Sequence, residues 1–192
     1  MPTDTPALLA DACAILGQNG IDYAVIGGCA RNAYAEVRPT KDVDFVVAAD
    51  AAAYASLVAV FARHGFRPAT TVGGPPDAAV PDLELFRDDR GRRIDLLFAH
   101  TDFEKSALAR KERPAPYGQT EVPVVSPEDL IVYKLIAGRT QDRLDILAML
   151  DALVDSGRSI DWAYVERWCV VWEISDRLAR LRQEQADAAD PR

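Results

Sequence analysis

Apolar residues recur at helical spacing through Leu8, Leu9, Ala12, Ile15 and Leu16, which predicts a helix over 6–18, ended by Asn19-Gly20. The pattern then shortens. An apolar run at 23–26 reads as a strand broken by Gly27-Gly28, and a helix is expected from Cys29 to Glu36. The β-branched stretch Asp42–Ala48 predicts a second strand, and Leu57, Val60 and Phe61 mark a helix over 51–64 stopped by Gly65. Residues 73–81, GGPPDAAVP, carry the clearest loop signal. Strands at 83–86 and 93–98 flank Asp88-Asp89-Arg90-Gly91, a sequence that favours a tight hairpin. A helical stretch at 102–113, an irregular one at 114–123 and a short strand at Val124-Val125 complete this half.

From Ser126 onward every period is helical. Ser126 is a cap, Pro127 suits the first helical position, and Glu128 and Asp129 suit the first turn. Gly138 ends that helix. Thr140 is expected to cap the next, with Leu144, Leu147, Leu150 and Val154 as its apolar face. Two further helices are predicted near 160–171 and 173–186, with Trp162, Trp168 and Trp172 in the core and a frayed polar tail over 185–192. No internal repeat is visible. The pattern predicts an α/β (α+β) protein: a mixed sheet flanked by helices over 1–125, then a helical lobe over 126–192.

Composition narrows the options. At 49% hydrophobic and 27% charged, the 192 residues are those of a globular chain. The formal charge of −8 argues against a broad basic surface for nucleic acid but leaves room for a local basic cleft. Cys13, Cys29 and Cys169 form no CxxC pair, which fits a reducing compartment. With two histidines, a zinc site built from His and Cys is not expected. No apolar run approaches the ~18 residues of a membrane span, and no basic region precedes the first apolar stretch. The expected location is the cytoplasm, with no membrane partner.

The candidate chemistry lies in three acids and a glycine turn. Asp42 and Asp44 alternate with Val43 on a predicted strand, so their side chains share a face about 6.6 Å apart. Two ionised carboxylates at that separation repel by about 2 to 3 kcal/mol at an effective dielectric of ~20, which a cation relieves. Magnesium suits such hard oxygen ligands and shares its shell with phosphates. Asp95 interrupts the apolar strand Ile94–Phe98, where a buried acid needs a partner or a metal. Converging, the three acids would make a two-metal phosphoryl-transfer site. Taken singly, each also reads as a surface pair or a hydrogen-bonded structural acid. Gly27-Gly28 sits between a strand and a helix, where backbone N–H groups can meet phosphate and Arg31 can add charge. It also reads as a plain turn.

In this order, Gly27-Gly28 with Arg31, Arg38-Pro39-Thr40-Lys41-Asp42-Val43-Asp44-Phe45, and Ile94-Asp95-Leu96, the chain resembles the polymerase β-like nucleotidyltransferase superfamily. The run Ser126-Pro127-Glu128-Asp129-Leu130, Lys134-Leu135, Gly138 to Arg143 and Asp145 resembles its AbiEii-type branch, which includes toxins of toxin–antitoxin pairs. The resemblance covers about residues 20–155. It departs at Cys29, where many superfamily members have serine, and in length, since many AbiEii-type toxins carry a larger helical lobe.

The resemblance implies transfer of a nucleoside monophosphate from a triphosphate such as ATP to an acceptor hydroxyl. Asp42, Asp44 and Asp95 would bind two Mg2+ ions and act as catalytic groups. Gly27, Gly28, Arg31, Lys41, Lys134 and Arg139 would bind the triphosphate. The acceptor stays open among an RNA end, a protein hydroxyl and a small molecule, and an antitoxin protein is an implied partner. Read from its own neighbours, Lys134 either snorkels to solvent or points toward the triphosphate. Two basic stretches, Lys105–Arg113 and Arg87–Arg93, read as solvated faces or as a strip for RNA. The alternative to an enzyme is a non-catalytic nucleotide-binding or partner-binding protein on the same fold.

Overall fold

The computed structural model describes residues 5–74, 79–113 and 121–189. It falls into two units: 1–33 with 38–125, and 34–37 with 126–192. The first unit holds helix α1 (Thr5–Gln18), strand β1 (Asp22–Ile26), α2 (Gly27–Tyr34), β2 (Asp42–Ala48), α3 (Ala51–Arg63), β3 (Arg67–Val72), β4 (Leu83–Arg87), β5 (Arg93–Phe98) and α4 (Asp102–Ala109). The second holds α5 (Pro127–Ala137), α6 (Thr140–Asp155), α7 (Trp162–Val171) and α8 (Ser175–Ala189). Among the described residues no helix is long and apolar enough to cross a membrane.

The sheet is mixed, with order β1-β2-β5-β4-β3. β2 and β5 pair in parallel, and every other pairing is antiparallel. A parallel pair needs a crossover connection. Here α3, β3 and β4 supply it, which places the two acid-bearing strands side by side at the centre. Val43, Phe45 and Val47 of β2 and Ile94, Leu96 and Phe98 of β5 are buried on one face. Aromatic rings lock that face: Tyr23 meets Phe45 edge-on at 5.8 Å, Tyr54 meets Phe98 at 5.4 Å, and Phe61 stacks on Phe86 at 4.7 Å. Glu84 is fully buried there and accepts hydrogen bonds from Tyr54 Oη (2.8 Å) and Thr71 Oγ1 (3.0 Å). The edges differ. Val25 of β1 bridges to Val124, whereas β3 is exposed along its whole length.

Several sequence expectations need correction. β3 was not foreseen: Arg67–Val72 has β-branched residues but no apolar alternation, and all six residues are exposed. α2 starts at the glycines themselves and stops at Tyr34, short of Glu36. The helix expected over 102–113 ends at Ala109. Parts of the 73–81 loop (75–78) and of the irregular 114–123 stretch (114–120) lie outside the described residues.

In the second unit, Ser126 Oγ caps α5 by accepting from Asp129 N (3.2 Å), and Gly138 takes the left-handed conformation at φ 67°. Thr140 does not cap α6. It is the first helical residue, and the Asp142 carboxylate accepts from the Arg139 N–H (3.2 Å). Nor is the face of α6 the expected one. Ile146, Met149, Leu150 and Leu153 are buried with Asp142 and Asp145, while Leu144 and Val154 are exposed. The three tryptophans are half-buried rather than core, and helix α8 runs on to Ala189 where a frayed tail was expected.

Candidate active site

Strand register sets the geometry. Asp42 pairs with Arg93 and Asp44 with Asp95 across the parallel β2–β5 ladder, so these four side chains occupy two successive rungs of one face. The opposite face is the aromatic core. Asp95 is buried, and Asp42 and Asp44 are half-buried. The glycine turn meets the same rungs. Gly27 has φ 65°, and any Cβ there would run into the Asp44 carboxylate. A Cβ on Gly28 would stand 2.7 Å from Thr40 Oγ1. The N-terminus of α2 is therefore pressed against the acids with nothing but hydrogen on the intervening α-carbons.

Local bonds fix the approach to β2. Asn32 clasps the incoming chain, donating from Nδ2 to the Arg38 carbonyl (2.8 Å) and accepting from the Arg38 N–H (3.1 Å). Thr5 Oγ1 donates to the Thr40 carbonyl (2.7 Å). Cys29, buried, directs its Sγ at the Asp42 carbonyl. Arg31 is buried on α2 and donates to Asn32 Oδ1 (3.3 Å), and Lys41 is exposed.

The acids already have a cation. Arg93 Nε donates to Asp95 Oδ1 (2.8 Å), its Nη2 donates to Asp95 Oδ2, and its Nη1 stands 3.6 Å from Asp42 Oδ2. The hydrogen bonds to Asp95, with the charges of Asp95, Asp42 and Asp44 behind them, hold the guanidinium above its ordinary pKa. The three acids share a face as expected. They do not close on a common point, however, and among the described residues no three acid, His or Cys side chains are placed to hold a metal ion. Arg93 lies between Asp42 and Asp95. The donor set still fits a hard divalent ion, since it is carboxylate oxygen throughout and a cation is already held there. Sequence reasoning missed Arg93, Asn32 and Thr40. Arg93 carried a signal, because it lies two residues before Asp95 and so on its face.

Two other predicted residues belong to the chain's second unit. Lys134 is buried and donates to Asp145 Oδ2 (2.6 Å) and Asp142 Oδ1 (3.4 Å), so it does not snorkel. Arg139 is exposed and donates from Nε to Asp142 Oδ2 (2.6 Å). In the basic stretches Lys111 pairs with Asp22 and Arg92 with Asp88.

Several solved structures share this fold. ANT(2'')-Ia in complex with adenylyl-2''-tobramycin superposes with a TM-score of 0.58, at 15% identity over 87% of this chain and 95% of that one. The chain has the nucleotidyltransferase fold. Lincomycin-bound LnuA, a lincosamide antibiotic adenylyltransferase, shares that fold at a TM-score of 0.54, with 13% identity over 75% and 95% of the two chains. So does an antigenic nucleotidyltransferase-like protein from Paracoccidioides brasiliensis, at 0.54, with 17% identity over 95% and 89%. No family model and no curated protein sequence matches the chain.

Proposed function

We propose that this protein is a metal-dependent nucleotidyltransferase of the polymerase β-like superfamily, moving a nucleoside monophosphate from a triphosphate to an acceptor hydroxyl. One observation carries the reading: Asp44 lies against Gly27 and in register with Asp95, so a phosphate-sized approach to the α2 N-terminus also faces the acids. Asp42, Asp44 and Asp95 would hold magnesium, two ions in this reading, which supplies charge neutralisation at the phosphates and a lowered pKa for the acceptor hydroxyl. The backbone N–H groups at Gly27 and Gly28 orient the β- and γ-phosphates. Asp95 lies nearest the core and takes the hydroxyl proton as the acceptor oxygen bonds to the α-phosphorus. The bond to the β-phosphate oxygen breaks, and pyrophosphate leaves.

The test is incubation with each α-labelled triphosphate, magnesium and an acceptor panel: RNA, cell protein, an aminoglycoside and a lincosamide. The last two enter because the solved complexes of ANT(2'')-Ia and LnuA hold adenylyl-2''-tobramycin and lincomycin. Label should pass to one acceptor from the intact protein and to none from Asp44→Asn. Equal labelling by both would sink the reading. The AbiEii-type resemblance adds a toxin role and an antitoxin partner; arrest of cell growth on expression, relieved by the product of an adjacent gene, tests both. A second reading, nucleotide binding without turnover, draws on Arg93 filling the acid cluster. Tight triphosphate binding with no label transferred to any acceptor would favour it.

A further inference from the structure

The acid cluster carries its own cation on the same strand as one of the acids. Asp42, Asp44 and Asp95 bring three carboxylates to one face, and Arg93 sets a positive charge among them. The guanidinium is held from two sides, by a two-point hydrogen bond to Asp95 and by the charge of Asp42 3.6 Å away. Its other strand neighbour offers nothing. Arg87 of β4 pairs with Arg93 in register, and like charges directly opposite repel. Arg93 is thus driven toward β2 and the acids. A guanidinium keeps its proton at any working pH, so this compensation cannot be titrated away. It can only be moved, and its side chain remains about one-third exposed (32%), with solvent on one side to move into.

Resting on the nucleotidyltransferase reading, we infer that Arg93 is the counter-ion a divalent metal must displace from Asp42 and Asp95, and that it thereby sets the metal affinity of the site. The argument is one of shared ligands. The two-point fork of Arg93 takes a lone pair on each oxygen of Asp95, so a metal that approaches from the side facing Asp42 competes with the guanidinium for them. Metal binding therefore costs the hydrogen bonds of an ionised pair, and the affinity of the intact protein is lowered by that amount. Removing the guanidinium while keeping a side chain of similar length removes the competitor.

The full-length protein is titrated with Mn2+ alone, by calorimetry, as wild type, Arg93→Met, Arg93→Lys and Asp44→Asn. Arg93→Met should bind Mn2+ about tenfold tighter than wild type, given the strength of hydrogen bonds between charged groups. Arg93→Lys should fall between them, since an ammonium lacks the two-point fork. Unchanged or weaker binding by Arg93→Met overturns the inference while leaving the metal reading intact. No Mn2+ binding by any protein, or wild-type binding by Asp44→Asn, overturns the metal reading itself. A measurement on the wild type alone guards against a variant that misfolds. The Arg93 Nε–H resonance, assigned by its absence from Arg93→Lys, should shift as Mg2+ is added and the bond to Asp95 breaks. A resonance that stays put while Mg2+ binds also overturns the inference.

Discussion

Two cations in this molecule each stand between two aspartates, and they do opposite things. Lys134 joins α5 to Asp142 and Asp145 of α6 with all three side chains at most 5% exposed. Arg93 joins Asp42 and Asp95 at a surface where Asp42 is 38% exposed. The chemistry of the pairs is alike, but the surroundings differ. In the helical unit the charges are sealed in, so each depends on the others and none can leave. In the sheet unit the guanidinium has water on one side and can be exchanged for another cation. Burial, rather than the identity of the charges, separates a structural triad from one that can take a ligand.

The largest effect that would test this contrast is Lys134→Met. It takes the buried cation from Asp142 and Asp145, leaving Arg139 and Gln141 as donors to them, and the protein should lose about 3 to 5 kcal/mol in urea unfolding. Adding Asp142→Asn and Asp145→Asn should restore much of the loss. A single-variant loss under ~1 kcal/mol would erase the distinction. Next comes Asp44→Asn, which should leave the unfolding midpoint nearly unchanged and lower nucleotidyl transfer at least about a hundredfold, the scale of losing a charge-stabilising group. Gly27→Ala should cost about 1 to 3 kcal/mol, because a methyl at positive φ meets the Asp44 carboxylate. It should also depress transfer, whereas alanine at the open, positive-φ Gly157 should affect stability alone.

The smallest effect concerns the two units equally. Burial pushes the Cys13 thiol of the sheet unit and the Cys169 thiol of the helical unit up to about 11 from 9.0. The unfolded chain then releases these protons first, so stability is intact below pH 9 and falls between pH 9 and about 11. Cys→Ala at each site should flatten that alkaline decline in a pH series of unfolding curves.

How legible this was depended on which residues obey a period. Phe45, Phe61 and Leu96 sit where alternation and helical spacing put them, and Asp42, Asp44 and Asp95 follow from counting by twos. Pairing register is not a local property. That Arg93 faces Asp42 is decided by the parallel crossover over residues 49–92, which no pattern within β5 reveals. The α6 error has a related cause. Leu144 and Val154 were expected on the buried face, but Asp142 and Asp145 take part of it, because Lys134, on another helix, supplies their partner. β3 left no apolar trace because its residues touch water on every face.

That last strand has a consequence for how the protein behaves at high concentration. An uncovered outer strand is a template on which a neighbouring chain can add a strand of its own. Here the outer strand carries Pro68, which has no amide proton to give, and its register slips between Pro68 and Thr70. A would-be intruder meets a missing donor and a broken spacing within two residues, so self-association by strand addition is discouraged at the margin most open to it.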